Sequence, residues 1–80
     1  MNMTEKTLLK RIKIDPLVML GKPVIKGTRL PVEIIVEKVA YGSSYQDILD
    51  SYPFLKVQDI QAALLYAAKT VSKEENILLD

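Results

Sequence analysis

The sequence predicts a mainly α fold: a small three-helix bundle of the helix-turn-helix type, carried behind a basic N-terminal arm with short β-segments. Three observations lead there. The apolar period changes from two to 3.6 at Pro31, and Gly42 and Pro53 divide the chain beyond it into three stretches. The last two of these are a short helix and a longer one separated by about four turn residues, which is helix-turn-helix spacing. Upstream of Pro31 the apolar residues come only in short β-branched pieces between glycines and prolines. The expected division is an arm over residues 1–30, three helices over 31–71, and a C-terminal tail over 72–80.

Residues 1–10 are polar and read as a mobile leader into the arm. Arg11 to Ile14 alternates charge and isoleucine, a short strand that Asp15-Pro16 ends. Val24-Ile25 is a second β-branched pair, bounded by Gly21-Lys22-Pro23 and Gly27. The stretch Gly21 to Val32, GKPVIKGTRLPV, holds two of the chain's three glycines and two of its four prolines, with three cations and no carboxylate. It departs from the G-x-x-x-x-G-K-[ST] phosphate loop, since Thr28 and Arg29 follow its second glycine and Pro23 removes an amide donor. Its expected work is to turn the chain, with Thr28-Arg29 tying arm to body and Arg29 pairing Glu33 or Asp59. Phosphate contact by Lys22, Lys26 or Arg29 is the alternative.

Pro31 suits the first position of helix one, whose face is Val32, Ile35, Val36 and Val39, and Gly42 is its stop. Ser44 caps helix two, with Asp47 three residues on in capping-box position and Ile48, Leu49 and Tyr52 as its apolar side. Helix three begins near Val57, with Val57, Ile60, Leu64, Ala67, Ala68 and Val71 at core spacing. Its start lacks a side-chain acceptor, because Lys56 stands where Ser, Thr, Asp or Asn is favoured. Leu65 and Tyr66 fall off that stripe and read as a dimer or partner surface, the alternative being a core broader than the stripe.

Composition narrows the function. With 80 residues, about 60% of the unfolded surface is buried, a marginal core that dimerisation commonly reinforces. The absence of cysteine and histidine removes disulfides, thiolate nucleophiles, the usual general base and the usual zinc ligands. Asp47 and Asp50, one turn apart, read as a cap and a solvated face, not as a cation site. No cofactor, no metal and no catalysis are expected. Without a sustained apolar run the chain reads as soluble and cytoplasmic. Residues 1–31 carry seven cations against two acids, and residues 32–80 carry four against eight. A basic front on an acidic body suits an anionic partner or head-to-body association.

The run I-D-P at Ile14 to Pro16, G-K-P-x-I-x-G-T-R-x-P-V at Gly21 to Val32, and I-L-x-x-Y-P-x-L-x-x-x-D-I-x-A-A-L-x-Y-A at Ile48 to Ala67 resembles a family of small bacterial and archaeal proteins. It is the family called domain of unknown function 433, and the likeness covers roughly residues 12–68. Two positions depart from its pattern: Lys56 replaces the usual Thr or Ser, and Ser43-Ser44-Tyr45 replaces an opening such as Gly-Met-Ser. The resemblance implies a homeodomain-like helical fold and the antitoxin role of a type II toxin–antitoxin pair, the toxin being a small PIN-like ribonuclease encoded next door.

On that reading the protein is a homodimer that represses its operon. Lys10, Arg11, Lys13, Lys22, Lys26 and Arg29 neutralise phosphates, and Lys56, Gln58 and Gln61 lie near base edges. Leu65 and Tyr66, with Ile77, Leu78 and Leu79 of the tail, serve partners, and Ile12-Lys13-Ile14 offers pairing surface for the dimer. The alternative is a protein-interaction and dimerisation module without DNA binding.

Overall fold

Four helices and one antiparallel hairpin make up the chain in a computed structural model, which describes residues 3–72. In chain order these are α1 (Met3–Leu9), β1 (Ile12–Ile14), a 3-10 turn (Met19–Gly21), β2 (Pro23–Ile25), α2 (Val32–Ala40), α3 (Tyr45–Ser51) and α4 (Val57–Ser72). The three expected helices and both strands are present. No helix of the described residues is long and apolar enough to cross a membrane.

The expectation of a mobile polar leader is overturned by α1. A helix of seven residues is too short to persist alone in water, which is why no local signal announces it. It forms by docking on α4, with Leu8 and Leu9 half buried and Glu5 Oε1 3.2 Å from Lys69 Nζ.

In the hairpin Ile12 stands opposite Ile25, Lys13 opposite Val24 and Ile14 opposite Pro23. Side chains alternate across a strand, so Ile12 and Ile25 share a face. Ile25 enters the core and Ile12 packs against it. Between the strands Asp15 Oδ1 accepts from the Leu17 amide at 2.9 Å. Met19, Leu20 and Gly21 then turn through three consecutive left-handed residues, φ 50°, 58° and 83°.

The helix ends obey local chemistry. Pro31 is the N-cap of α2, in extended conformation, one position earlier in role than expected. At the other end Gly42 takes φ 95°. There the Ser43 amide reaches the Lys38 carbonyl at 2.9 Å and the Gly42 amide reaches Val39 at 3.0 Å, the paired bonds of a Schellman motif. The Ser44–Asp47 box closes in both directions at 3.0 Å, and Asp50 accepts from Gln46 at 2.8 Å.

Helix α4 departs from expectation at its start. Asp59 Oδ2 accepts from the Lys56 amide at 2.9 Å, so the third residue inside the helix reaches back and does the capping that Lys56 cannot. The core joins Ile25, Val32, Ile35, Ile48, Leu55, Ile60 and Ala63, with Val36, Val39, Leu49, Tyr52, Leu64 and Tyr66 packed around it. The expected stripe on α4 needs correction. Val57, Ala68 and Val71 are exposed, while Ala62 and Ala63 are fully buried. Both α1 and α2 pack on α4, so its covered face is wider than a single stripe and small residues sit where helices approach. For the same reason Leu65 and Tyr66 are half buried, Tyr66 against the core. Both are partly covered, as the broader-core alternative expects, and they are not an open surface.

Replacing Leu8 and Leu9 together by Ala should lower the stability by roughly 2 kcal/mol, the worth of two half-buried leucines. Urea unfolding checks this, since a mobile leader would leave the midpoint unmoved.

Candidate nucleic-acid interface

The glycine- and proline-rich stretch forms a tight return onto β2. Gly27 turns the chain at φ 83°, with open space where a Cβ would stand, so its backbone conformation and not crowding calls for glycine. Thr28 then closes the loop twice. Its Oγ1 donates to the Ile25 carbonyl at 2.7 Å and accepts from the Leu30 amide at 3.0 Å. The Ile25 amide reaches the Leu30 carbonyl at 3.0 Å, and Val24 bridges Pro31. Thr28 is thus the tie, and Arg29 projects exposed from it.

Arg29 pairs neither Glu33 nor Asp59 among the described residues. Glu33 Oε1 is held by Lys22 Nζ at 3.0 Å, and Asp59 Oδ1 by Arg11 Nη1 at 3.1 Å. The position of Arg11 at the strand's start accounts for the second pairing. Arg11 immediately precedes β1, and its carbonyl accepts from the Lys26 amide at 2.8 Å. The guanidinium therefore stands at the end of the hairpin that faces α4.

These placements gather the cations into two neighbouring clefts on the hairpin. The first, about 490 Å³, has Lys13 and Arg29 on its walls with Asp15, Thr28 and Gly27 between them. The second, about 390 Å³, is walled by Lys10, Arg11 and Lys26, with Thr7 of α1 and the Asp59 carboxylate. Five of the six arm cations expected as phosphate contacts thus line the two clefts. Lys22 stands apart, paired with Glu33.

The helical candidates are placed differently. Gln58 and Gln61 open on a cleft of about 330 Å³ whose other wall is Thr4, Thr7 and Leu8 of α1. Helix α1 therefore stands beside the face of α4 from which bases would be read. Lys56 is exposed, its amide bound to Asp59. Leu65 and Tyr66 are half buried, and Ile77, Leu78 and Leu79 lie outside the described residues. Two features were not disclosed by residue types alone. An apolar groove of about 290 Å³ runs between α2 and α4, with Val32, Val36, Tyr66 and Val71 on its walls and Glu33 and Glu37 at its rim. The other is Asp59 as the acid that organises the second cleft. Its signal was position: an aspartate three residues after an uncapped helix start.

Comparison with known proteins agrees with this architecture. The family described as "Protein of unknown function (DUF433)" matches residues 12–67. An uncharacterised protein of Sinorhizobium fredii, y4eO, is 38% identical over 53 residues, covering 66% of this chain and 24% of that protein. The chain thus spans about a quarter of that relative's length. An uncharacterised protein of Archaeoglobus fulgidus is 60% identical over 25 residues, 31% of this chain and 69% of that protein. Among solved structures, the crystal structure of a DUF433 member protein from Anabaena variabilis superposes with a TM-score of 0.74 at 30% identity, over 88% of this chain and 69% of that one.

The loop geometry separates a structural threonine from a free arginine. Thr28→Val should cost about 1–2 kcal/mol through its two lost bonds, while Arg29→Ala should stay within about 0.5 kcal/mol of the parent. Thermal unfolding of both variants decides it: equal losses would mean that Arg29, too, ties the loop.

Proposed function

The chain belongs to the DUF433 family, and on that premise we propose that it is the antitoxin of a type II pair: a dimer that binds operator DNA through its hairpin and sequesters a PIN-like ribonuclease. The carrying observation is the gathering of Lys10, Arg11 and Lys26 in one cleft and Lys13 and Arg29 in the next. Cations presented together on a rigid hairpin track a phosphate backbone at less entropic cost than the same charges on a mobile arm. Asp15 and Asp59 balance two of these five cations, leaving the two clefts basic. Base reading has less support, because α4 offers only Gln58 and Gln61, flanked by α1 and close to Asp59. In this reading affinity is mostly electrostatic and operator selection comes from dimer spacing and DNA shape.

A second reading, a protein-interaction module without DNA binding, draws on the apolar groove between α2 and α4 and its acidic rim. The two differ in what charge removal does.

In the first reading Lys10→Ala with Lys26→Ala, and Arg29→Ala alone, each weaken binding to the chain's own upstream DNA similarly for all sequences. The double change also reduces the slope of log affinity against log salt by about 2 and the single change by about 1, near 0.9 per lost phosphate contact. Lys22→Ala leaves the slope unchanged. Fluorescence anisotropy across a salt series reads both quantities. Absence of binding by the parent chain, or slopes that ignore the hairpin changes, would leave the interaction module as the better account.

A further inference from the structure

Among the described residues the hairpin has one edge without backbone partners, and its geometry suggests how a second copy meets it. The outer edge of β2 is already occupied by the returning loop, through the Ile25–Leu30 bond and the Val24–Pro31 bridge. On β1 the hydrogen-bonding direction alternates along the strand. The Lys26 amide bonds the Arg11 carbonyl while the Ile25 amide points away to Leu30, which makes Lys13 and Val24 the bonded pair within the hairpin. The amides and carbonyls of Ile12 and Ile14 consequently face outward, a template for a further strand.

Apolar surface is concentrated beside that edge. Of the nine large apolar residues exposed in the described chain, Ile14, Leu17, Met19 and Leu20 fall within seven consecutive positions, a density that marks a patch. Leu17 and Leu20 are 92% and 96% exposed and Ile14 57%. Met19 and Leu20 keep left-handed φ values that side chains of their size rarely adopt, a conformation that favours functional segments over plain connections.

We propose that β1 pairs antiparallel with β1 of a second copy about a two-fold axis at Ile14, joining two hairpins into a four-stranded sheet; this specifies the dimer on which the proposed function rests. The register is set by charge. Centring on Ile14 makes Ile14 a hydrogen-bonded pair with its own symmetry mate and sets Lys13 opposite Asp15 of the partner subunit, twice. Lys13 and Asp15 stand in the same cleft on one face, and only one oxygen of Asp15 is engaged by the Leu17 amide, so the other can receive the partner's Lys13. A register one step away, centred on Lys13, would put two lysines face to face at the close spacing of a non-bonded pair, about 4.5 Å between Cα atoms. The exposed leucines of the two turns then flank the new sheet.

The chain has no cysteine, so single cysteines report the register directly. Lys13→Cys mixed with Asp15→Cys should form a disulfide heterodimer under mild oxidation, because a non-bonded antiparallel pair places Cα atoms about 4.5 Å apart with side chains close, within disulfide range. Lys13→Cys alone should not. Sedimentation tests the charges: Lys13→Glu and Asp15→Lys should each raise the dimer dissociation constant about tenfold, through two like-charge pairs. An equimolar mixture of these two variants should recover a dimer. In the mixed pair the introduced glutamate faces the introduced lysine, and the native Asp15 of one copy faces the native Lys13 of the other. Circular dichroism verifies that both variants stay folded. A monomeric parent, efficient linking of the Lys13→Cys variant alone in place of the mixed cysteine pair, or a charge-reversal mixture no tighter than its components would overturn the proposal. No nucleic acid enters the experiment, so its outcome is independent of DNA binding.

Discussion

Asp59 is the point on which the arrangement of arm and helices depends. It is the one buried charged residue among those described, 7% exposed. One carboxylate oxygen accepts from Arg11, 48 positions upstream, and the other from the Lys56 amide. A carboxylate this buried is costly to leave alone, so both partners are constrained at once. The hairpin is thereby anchored to α4 at the turn where α4 starts. The sheet has two strands of three residues each, below what holds together unaided, and the Arg11 bond adds to the packing of Ile12 and Ile25 on the core in holding it.

That anchoring shapes the electrostatic face. Because Arg11 is drawn toward α4, Lys10 and Lys26 gather about the same cleft, and Lys13, two residues along the strand, turns to the neighbouring cleft with Arg29. Thr28 fixes the far side of that neighbouring cleft by folding the loop onto β2. The basic front read from the charge distribution is therefore a pair of structured clefts and not a flexible tether. Among the described residues the outer edge of β1 has no backbone partner, so the cationic clefts and the proposed pairing edge share one small element. A dimer formed there would carry both sets of clefts on one continuous sheet.

Local chemistry made much of the fold legible in the sequence. Gly42 as a helix stop, the Ser44–Asp47 box, the alternation around Lys13 and the face of α2 each need only a few neighbouring residues, and each is present. What escaped involves distant partners. The helix α1 exists because it docks on α4, and its seven residues carry no adequate period. The covered face of α4 depends on having α1 and α2 as neighbours, which moved the buried positions to Ala62 and Ala63 and covered part of Leu65 and Tyr66. At the candidate site the residue types were legible but their partners were not: Glu33 went to Lys22 and Asp59 to Arg11, leaving Arg29 unpaired among the described residues. Charges of the same type are interchangeable in a sequence, and only the hairpin register distinguishes them.

If Asp59 couples the hairpin to α4, a double-mutant cycle measures that coupling. Arg11→Ala, Asp59→Ala and the double variant would be compared with the parent by urea unfolding. Asp59→Ala should cost more than Arg11→Ala by about 1 kcal/mol, the worth of the helix cap that only Asp59 supplies. The cycle should return a coupling of about 1 kcal/mol between the two residues, as expected for a partly exposed charged hydrogen bond discounted for solvent screening. Additive losses, with no coupling beyond experimental error, would show that the hairpin is held by apolar packing alone and would contradict the role given to Asp59.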